Sequence, residues 1–250
     1  MGVIWAAILG TIQGITEFLP ISSSGHLVLA QRLIPGFTQP GVLFDVVLHL
    51  ATTVAVLIYF GKRIVSILKK DRRYLILLLV GTIPAGLAGV FLRDFLEGLF
   101  TSSRTLGLEF LFTGVLAIAT DYLVAKREKI GVLDSLWVGL AQAVAIIPAI
   151  SRSGATIFAG GVLGINKEKI AEFSFLLSVP AILGANVLEL ARHGGAGEVN
   201  LADYGVGFGM ALVAGLISIK LVLATLHTRS FKYFGIYCLI LGTGVILAGI

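Results

Sequence analysis

The sequence predicts an all-α polytopic membrane protein built from two related halves. Composition, charge-free runs and an internal repeat lead to this fold class. Of the 250 residues, 57% are hydrophobic and 13% are charged, whereas a soluble domain of this length needs far more charge on its surface. Charge-free runs at 74–92, 173–188, 204–219 and 233–250 each approach the roughly 20 apolar residues that cross a bilayer.

The internal repeat has a period of 129 residues. This shift lays the GTIQ of 10–13 over the GLAQ of 139–142, and the SSSG of 22–25 over the SRSG of 151–154. A similar run of apolar segments follows each serine motif. We therefore expect a single membrane domain over 1–250, with a first repeat at about 1–125 and a second at about 130–250.

The first repeat begins with two helical pieces, 3–17 and 24–34, separated by a proline and serines. They are about 22 and 16 Å long at 1.5 Å per residue. Each is shorter than a hydrocarbon core of about 30 Å, so the pair predicts a re-entrant helical hairpin. Full spans are expected near 41–61, 74–93 and 105–125.

The second repeat follows the same plan, with a hairpin near 133–165 and spans near 173–190, 204–225 and 233–250. The whole chain then has about six transmembrane helices and two re-entrant hairpins. Because each repeat crosses the membrane an odd number of times, the second is predicted to be inverted relative to the first, as in many transporters.

Loop charges predict the orientation. Thirteen Lys and Arg fall on one side, within 62–73, 126–129, 167–169 and 229–232, and four fall on the side of the N-terminus. Cytoplasmic loops carry the excess of basic residues, so the N-terminus and the 191–203 loop are expected outside. We interpret the overall excess of 19 basic over 14 acidic residues as topology and not as nucleic-acid binding.

The two hairpin tips carry polar residues that favour anion binding. Hairpins that enter from opposite faces bring their tips together near the midplane, and each tip starts a half-helix whose first N–H groups lack partners. Such helix starts bind phosphate, and the guanidinium of Arg152 matches phosphate oxygens. The candidate phosphate-binding residues in the tips are Ser22, Ser24, Gly25, Ser151, Ser153 and Gly154.

An acid, a hydroxyl and an imidazole at the first tip favour chemistry over simple binding. Glu17 would repel an anion unless it bridges to phosphate through a divalent cation or acts as a base. Ser23 and His26 are three residues apart at the start of a helix, so they share a face. A hydroxyl beside an imidazole is a recurrent activated nucleophile. Together with Arg152, these residues predict phosphoryl transfer.

Structural alternatives remain open for several of these residues. Ser22 and Ser24 follow a proline and are equally well explained as helix N-caps. Glu17 and Arg152 are ionisable residues at membrane depth, where function is the default expectation, but a purely structural ion pair is the alternative.

Other titratable residues in the membrane region lie near the ends of the predicted spans. Asp45 and His49, four apart at the start of a span, either line the cavity or sit at the membrane interface. Glu109, Glu189 and Lys220 lie near span ends and are expected to extend to the membrane surface.

The motifs QGITEFLPISSSGH (13–26) and PAISRSGAT (148–156) resemble the two signatures of the undecaprenyl-diphosphate phosphatase family, the bacitracin-resistance phosphatases. FDVVLHLAT (44–52) and EFSFLLSVPAI (172–182) are similar to family segments too, so the resemblance spans nearly the whole chain. Two positions depart from the family pattern. The family motif has Glu or Gln at position 13, and Gln13 is the residue that cannot ionise. Ala149 replaces a glycine of the second motif, so the loop cannot require positive φ there.

The resemblance implies hydrolysis of a polyprenyl diphosphate to its monophosphate, at the outer face of the cell membrane, with a divalent metal, Mg²⁺ or Ca²⁺. Glu17, together with Gln13, matches the acidic pair that would hold the metal. Ser23 matches the proposed nucleophile and His26 the nearby histidine. The resemblance also adds Thr156 to the phosphate-binding residues of the second motif.

Several points stay open at the level of sequence. The group that attacks the phosphorus is either Ser23, assisted by His26 or Glu17, or a water molecule. A lipid-phosphate transporter or flippase and a phosphate-binding scaffold are the alternatives to an enzyme, and the serine, histidine and glutamate favour the enzyme. A homodimer is one alternative for the oligomeric state.

Overall fold

The computed structural model describes residues 2–34, 42–92, 103–193, 200–226, 228 and 230–249. Within them the regular structure is helical, apart from one isolated β-bridge between Arg127 and Ile165. The first hairpin consists of α1 (Val3–Phe18) and α2 (Ser23–Leu33), and the second of α7 (Val132–Val144) and α8 (Arg152–Val162). The other helices are α3 (Val42–Tyr59), α4 (Gly61–Lys70), α5 (Arg72–Phe91), α6 (Ser103–Thr120), α9 (Lys167–His193), α10 (Leu201–Thr225) and α11 (Phe231–Ala248).

Four of the described helices are long and apolar enough to cross a membrane, namely α5, α10, α11 and the Lys167–Ala191 part of α9. They coincide with four of the predicted spans. The chain is therefore a polytopic helical membrane protein, as expected. The middle of the predicted outer loop, 194–199, lies outside the described residues.

Two predicted spans differ from expectation. The span near 41–61 bends by 71° between Tyr59 and Gly61 and continues as α4, a helix that the sequence analysis missed. The basic residues at both ends of α4 leave only a short apolar stretch between them, so the pattern does not read as a long apolar run. The span near 105–125 ends at Thr120, and a loop follows it up to Val132.

Helices from the two predicted repeats pack in pairs through glycine. α1 packs along α10, and α7 packs along α5. A Cβ at Gly10 would collide with the carbonyl oxygen of Gly207, and one at Gly139 with that of Gly81. Because lipid gives no hydrophobic drive for helix association, close backbone approach is what holds such helices together. Each hairpin is thus fixed to a long helix of the other predicted repeat.

Arg127 ties the loop before the second hairpin to that hairpin. Its Nη1 and Nη2 each donate to one carboxylate oxygen of Asp134, both at 2.7 Å. Its Nε donates to the carbonyl of Leu163 at 3.0 Å, so one side chain joins the start of α7 to the end of α8. The two ends of the second hairpin are held together at its base.

Candidate active site

The tip of the first hairpin is a tight turn that ends at Ser22, the residue before α2. Ser22 has φ 68° and ψ 111°, and among the described residues it is the one non-glycine residue with positive φ. Such backbone strain persists where the surroundings enforce it, often at functional sites. The Ser22 hydroxyl caps α2 by accepting from Gly25 N–H at 3.4 Å. It donates to the carbonyl of Pro148 at 2.9 Å, and Ser24 donates to the same carbonyl.

The tip of the second hairpin repeats this arrangement in the opposite direction. Ser151 caps α8 by accepting from Gly154 N–H at 3.1 Å. Ser151 and Ser153 donate to the carbonyl of Leu19, at 3.4 and 3.0 Å. Leu19 is the residue that the 129-residue shift lays on Pro148. Two serines from each tip therefore bind the two tips to each other. The N-cap interpretation is confirmed for Ser22.

The second tip also rests on α6. The buried carboxylate of Glu109, 7% exposed, accepts from Ala149 N–H at 2.9 Å. Thr113 accepts from Ser151 N–H at 3.0 Å and donates to the carbonyl of Ala149 at 2.8 Å. The expectation that Glu109 extends to the membrane surface is wrong, because it satisfies a backbone N–H that the helix break leaves free. Ala149 has no positive φ, as expected.

Glu17, Ser23 and Arg152 meet beside the two tips. Glu17 Oε1 lies 2.6 Å from Arg152 Nη2 in an ion pair between the hairpins. Glu17 Oε2 accepts from the Ser23 hydroxyl at 2.7 Å and from Gln13 Nε2 at 2.9 Å. Glu17 is 7% exposed and Gln13 is fully buried. Three residues that the sequence analysis singled out for chemistry are thus in direct contact.

His49 is a further member of this cluster. Its Nδ1 lies 3.0 Å from Gln13 Nε2 and 3.7 Å from Glu17 Oε2. Glu17 accepts hydrogen bonds, so the amide nitrogen of Gln13 faces it and also donates to His49 Nδ1. A neutral His49 therefore carries its proton on Nε2. The sequence left His49 open between cavity and interface, and both His49 and Asp45 line the cavity.

His26 lies on a different side of α2. Its Nδ1 is 2.6 Å from the carbonyl oxygen of Ser22, and its Nε2 is 2.7 Å from the hydroxyl of Tyr237. The ring stacks on Tyr237 and meets the edge of Phe110. The hydroxyl of Ser23 is paired with a carboxylate and not with this imidazole. His26 touches the strained residue before Ser23, which is a position from which it can hold the turn.

Thr156 supports Arg152. Its hydroxyl donates to the carbonyl of Arg152 at 2.8 Å and lies 2.6 Å from the hydroxyl of Ser174. The carbonyl of Ser174 in turn accepts from Arg152 Nη1 at 3.3 Å. Thr156 is fully buried, so its hydroxyl acts on the arginine backbone and on α9.

A cavity of about 800 Å³ opens beside this cluster. Glu17, Ser23, His49 and Arg152 line its polar part. Its remaining wall is mostly apolar and comes from α2, the first half of α3, the second halves of α5 and α9, and the end of α7 with the segment that follows it. A charged group at the tips and a hydrocarbon chain between the helices are the two parts of a ligand that such a cavity fits.

The donor set offers a divalent cation two oxygens from the protein. Among the described residues no group of three or more His, Cys, Asp or Glu side chains is arranged to hold a metal. Gln13 Oε1, however, is a buried acceptor without a hydrogen-bond partner in the described part of the chain, and it belongs to the side chain that bonds to Glu17. Mg²⁺ commonly takes one or two protein oxygens and completes its shell with water and substrate phosphate. Glu17 and Gln13 fit such a site.

Known proteins resemble this chain over almost its full length. The family model of the bacitracin resistance protein BacA matches residues 6–244. An undecaprenyl-diphosphatase of Carboxydothermus hydrogenoformans is 43% identical over 97% of this chain and 95% of its own. That of Halothermothrix orenii is 42% identical over 97% and 96%, and that of Methanococcus vannielii is 37% identical over 96% and 97%. The chain belongs to the family of the bacitracin resistance protein BacA.

Proposed function

We propose that the protein hydrolyses undecaprenyl diphosphate to the monophosphate and inorganic phosphate. This reaction recycles the lipid carrier of cell-envelope synthesis and confers resistance to bacitracin. The relatives named undecaprenyl-diphosphatase support the reaction. The observation that carries it is the contact of Ser23 and Arg152 with the two oxygens of Glu17, which places a nucleophile, a base and a phosphate-binding cation together beside an apolar cavity.

Substrate binding opens the ion pair between Glu17 and Arg152. A diphosphate carries more charge than one carboxylate and offers a bidentate partner, so it competes for the guanidinium. The N-termini of α2 and α8 add positive potential at the same place. Charge stabilisation of this kind supplies most of the catalysis in phosphoryl transfer.

Release of Arg152 frees Glu17 to act as the base. The Ser23 hydroxyl already donates to Glu17 Oε2, so its proton passes to Glu17 as Oγ forms a bond to the terminal phosphorus. The bond between that phosphorus and the bridging oxygen breaks, and the lipid monophosphate leaves. Water then cleaves the phosphoserine and releases phosphate. His49 Nε2–H is placed to donate to a phosphate oxygen or to the leaving group.

A divalent cation, Mg²⁺ or Ca²⁺, belongs to this proposal. Glu17 and Gln13 Oε1 would hold it, and when bound it would neutralise charge on the diphosphate. Gln13 has a second task that needs no metal, because its amide orients both Glu17 and His49.

The inverted repeat and the outward-facing site are also part of the proposal. The 129-residue shift carries α2 (Ser23–Leu33) onto α8 (Arg152–Val162) residue for residue. The same shift relates α1 to α7 and α5 to α10. The packing of α1 on α10 therefore corresponds to the packing of α7 on α5. The cavity wall comes from those ends of α3, α5 and α9 that the loop charges assign to the outer side. A homodimer stays a prediction.

Phosphate release from a long-chain prenyl diphosphate by the purified protein tests the proposal. We expect turnover by the wild-type protein and none by the Glu17→Gln variant. The alternative function is a lipid-phosphate flippase, which the repeat architecture favours. The hydrolase proposal is wrong if the wild-type protein in proteoliposomes translocates the lipid but releases no phosphate, either there or in purified form.

A further inference from the structure

Gln142 lines the cavity that holds Glu17 and Arg152, and the function proposed above gives it no role. It lies near the end of α7 and is 3% exposed. Neither its amide nitrogen nor its amide oxygen has a hydrogen-bond partner among the described residues. A buried amide with both atoms unsatisfied destabilises the empty protein unless water or a ligand meets it.

The repeat explains why Gln142 lacks a partner. Its counterpart 129 residues earlier is Gln13, whose amide nitrogen bonds to Glu17 four residues further on. The residue four positions after Gln142 is Ile146, which offers no acceptor. The first repeat thus uses its glutamine to hold a carboxylate, whereas the second presents a glutamine without one.

The cavity-lining residues that follow Gln142 in the sequence are apolar as far as the second tip. They are Ala145, Ile146 and Ile150, and Ser151 and Arg152 come after them. Gln142 also belongs to the second hairpin, whereas the nucleophile Ser23 belongs to the first. In an in-line displacement the leaving group stands opposite the attacking oxygen. A neutral donor at an apolar wall suits the phosphate that stays attached to the hydrocarbon, and not the phosphoryl group between Ser23 and Arg152.

We propose that Gln142 is a substrate-binding residue whose amide N–H donates to the lipid-proximal phosphate of a prenyl diphosphate. This inference rests on the proposed function for the identity of the substrate. It assigns the terminal phosphoryl to Ser23 and Arg152, and the leaving phosphate to Gln142. The same contact holds the monophosphate product until the lipid departs.

The Gln142→Leu variant separates a binding role from a structural one. Leucine has a similar volume and no polar atoms, so we expect the unfolding midpoint of the lipid-free protein in detergent to equal or exceed that of the wild type. We expect KM for a long-chain prenyl diphosphate to rise by about 10-fold to 100-fold, the worth of one hydrogen bond to a charged group. A lower midpoint with an unchanged KM would make Gln142 a water-satisfied structural residue and overturn the proposal.

Product inhibition identifies the phosphate that Gln142 contacts. Inhibition by a prenyl monophosphate should weaken in Gln142→Leu by a factor similar to the change in KM, while inhibition by inorganic phosphate should not change. The reverse pattern would place Gln142 at the terminal phosphoryl and overturn the assignment. Equilibrium binding of the prenyl monophosphate decides the matter even if the wild-type protein releases no phosphate, in which case only the proposed function fails.

Ser218→Ala is the matched control. Ser218 is buried on α10, and its hydroxyl donates to the carbonyl of Ala214 on the same helix at 2.9 Å. Removing this satisfied polar group should leave KM and both inhibition constants unchanged. A shift in KM for Ser218→Ala equal to that of Gln142→Leu would attribute the effect to general loosening of the bundle, against the proposal.

Discussion

Glu17 and Arg152 lie 135 residues apart in the sequence, and their side chains form an ion pair of 2.6 Å that joins the two hairpins. The exposed fraction of the two side chains is 6% and 14%. Each residue therefore neutralises a charge that the membrane interior would otherwise penalise. The pair is also the point at which the proposed substrate intervenes, so its two halves should respond differently to substitution.

Arg152→Lys should lower phosphate release by roughly 10³-fold or more, because lysine keeps the charge and loses the bidentate fork that phosphate needs. Stability should fall less than in Arg152→Ala, where the buried Glu17 loses its cationic partner at a typical cost of about 3–5 kcal/mol. Phosphate release and the unfolding midpoint in detergent measure the two effects. Arg63→Lys is the control, since Arg63 pairs with Glu172 away from the cavity. Equal activity losses in the two variants would contradict the prediction.

Ser23→Ala should abolish phosphate release while the lipid diphosphate still binds. The substitution removes the attacking oxygen and leaves Arg152 and the helix N-termini in place. Turnover assays and equilibrium lipid binding measure the two properties separately. Turnover near the wild-type rate would mean that water is the attacking group, with Glu17 as its base.

His49→Gln and His26→Gln should differ in kind. His49 contacts Gln13 and stands 3.7 Å from Glu17, so its loss should lower kcat by about 10²- to 10⁴-fold, as for a lost acid–base group. His26 bonds to the Ser22 carbonyl and to Tyr237, so its loss should lower stability and activity together.

Tyr237→Phe distinguishes the two roles for His26. This variant removes the hydroxyl that holds the His26 ring and should reproduce part of the His26→Gln effect on both stability and activity. A catalytic base at His26 would instead give a large loss of kcat with an unchanged unfolding midpoint in His26→Gln. The pH–rate profile would then lose one limb in that variant alone.

Removal of divalent cations should abolish turnover, and Mg²⁺ or Ca²⁺ should restore it. Gln13→Leu should then raise the cation concentration needed for half-maximal activity, because it removes one of the two oxygens offered by the protein. Turnover measured against buffered free metal tests both statements. Full activity in excess chelator would remove the metal from the mechanism.

Single cysteines should report the predicted orientation. In a Cys238→Ala background, Leu68→Cys on α4 and Leu201→Cys at the start of α10 replace exposed side chains at opposite predicted faces. An impermeant thiol reagent added to intact cells should label the residue at 201 and not the one at 68. Equal labelling at both positions would contradict the inverted arrangement.

The sequence predicted the hairpins well because their interruption is local. Proline, serine and glycine at 20–25 break the helix, and the repeat of the serine motif places the second break by analogy. The contact of Ser23, Glu17 and Arg152 followed from two hairpins meeting. α4 was missed because lysines and arginines flank its short apolar run at both ends, and a bend of 71° leaves no mark in hydropathy.

The partners of individual side chains could not be predicted. Ser23 and His26 share a helix face by spacing, but Tyr237 and Phe110 draw the imidazole to one side. His49 gained its place from the packing of α3 beside α1, which no local pattern encodes. Glu109 was assigned to the surface by its position in the helix, whereas a free N–H in the second tip holds it inside.

The reciprocal bonds between the tips set an order of events in biosynthesis. Leu19 and the serines of the first tip are synthesised 129 residues before their partners, an interval of roughly 6 to 26 s at ordinary elongation rates. During that interval the hydroxyls of Ser22 and Ser24, the carbonyl of Leu19 and the charge of Glu17 have no counterpart. A nascent first hairpin must therefore wait at the watery surface or beside the insertion machinery. Chains that stall before Pro148 never gain these partners, and we expect membrane proteases to remove them as misfolded protein.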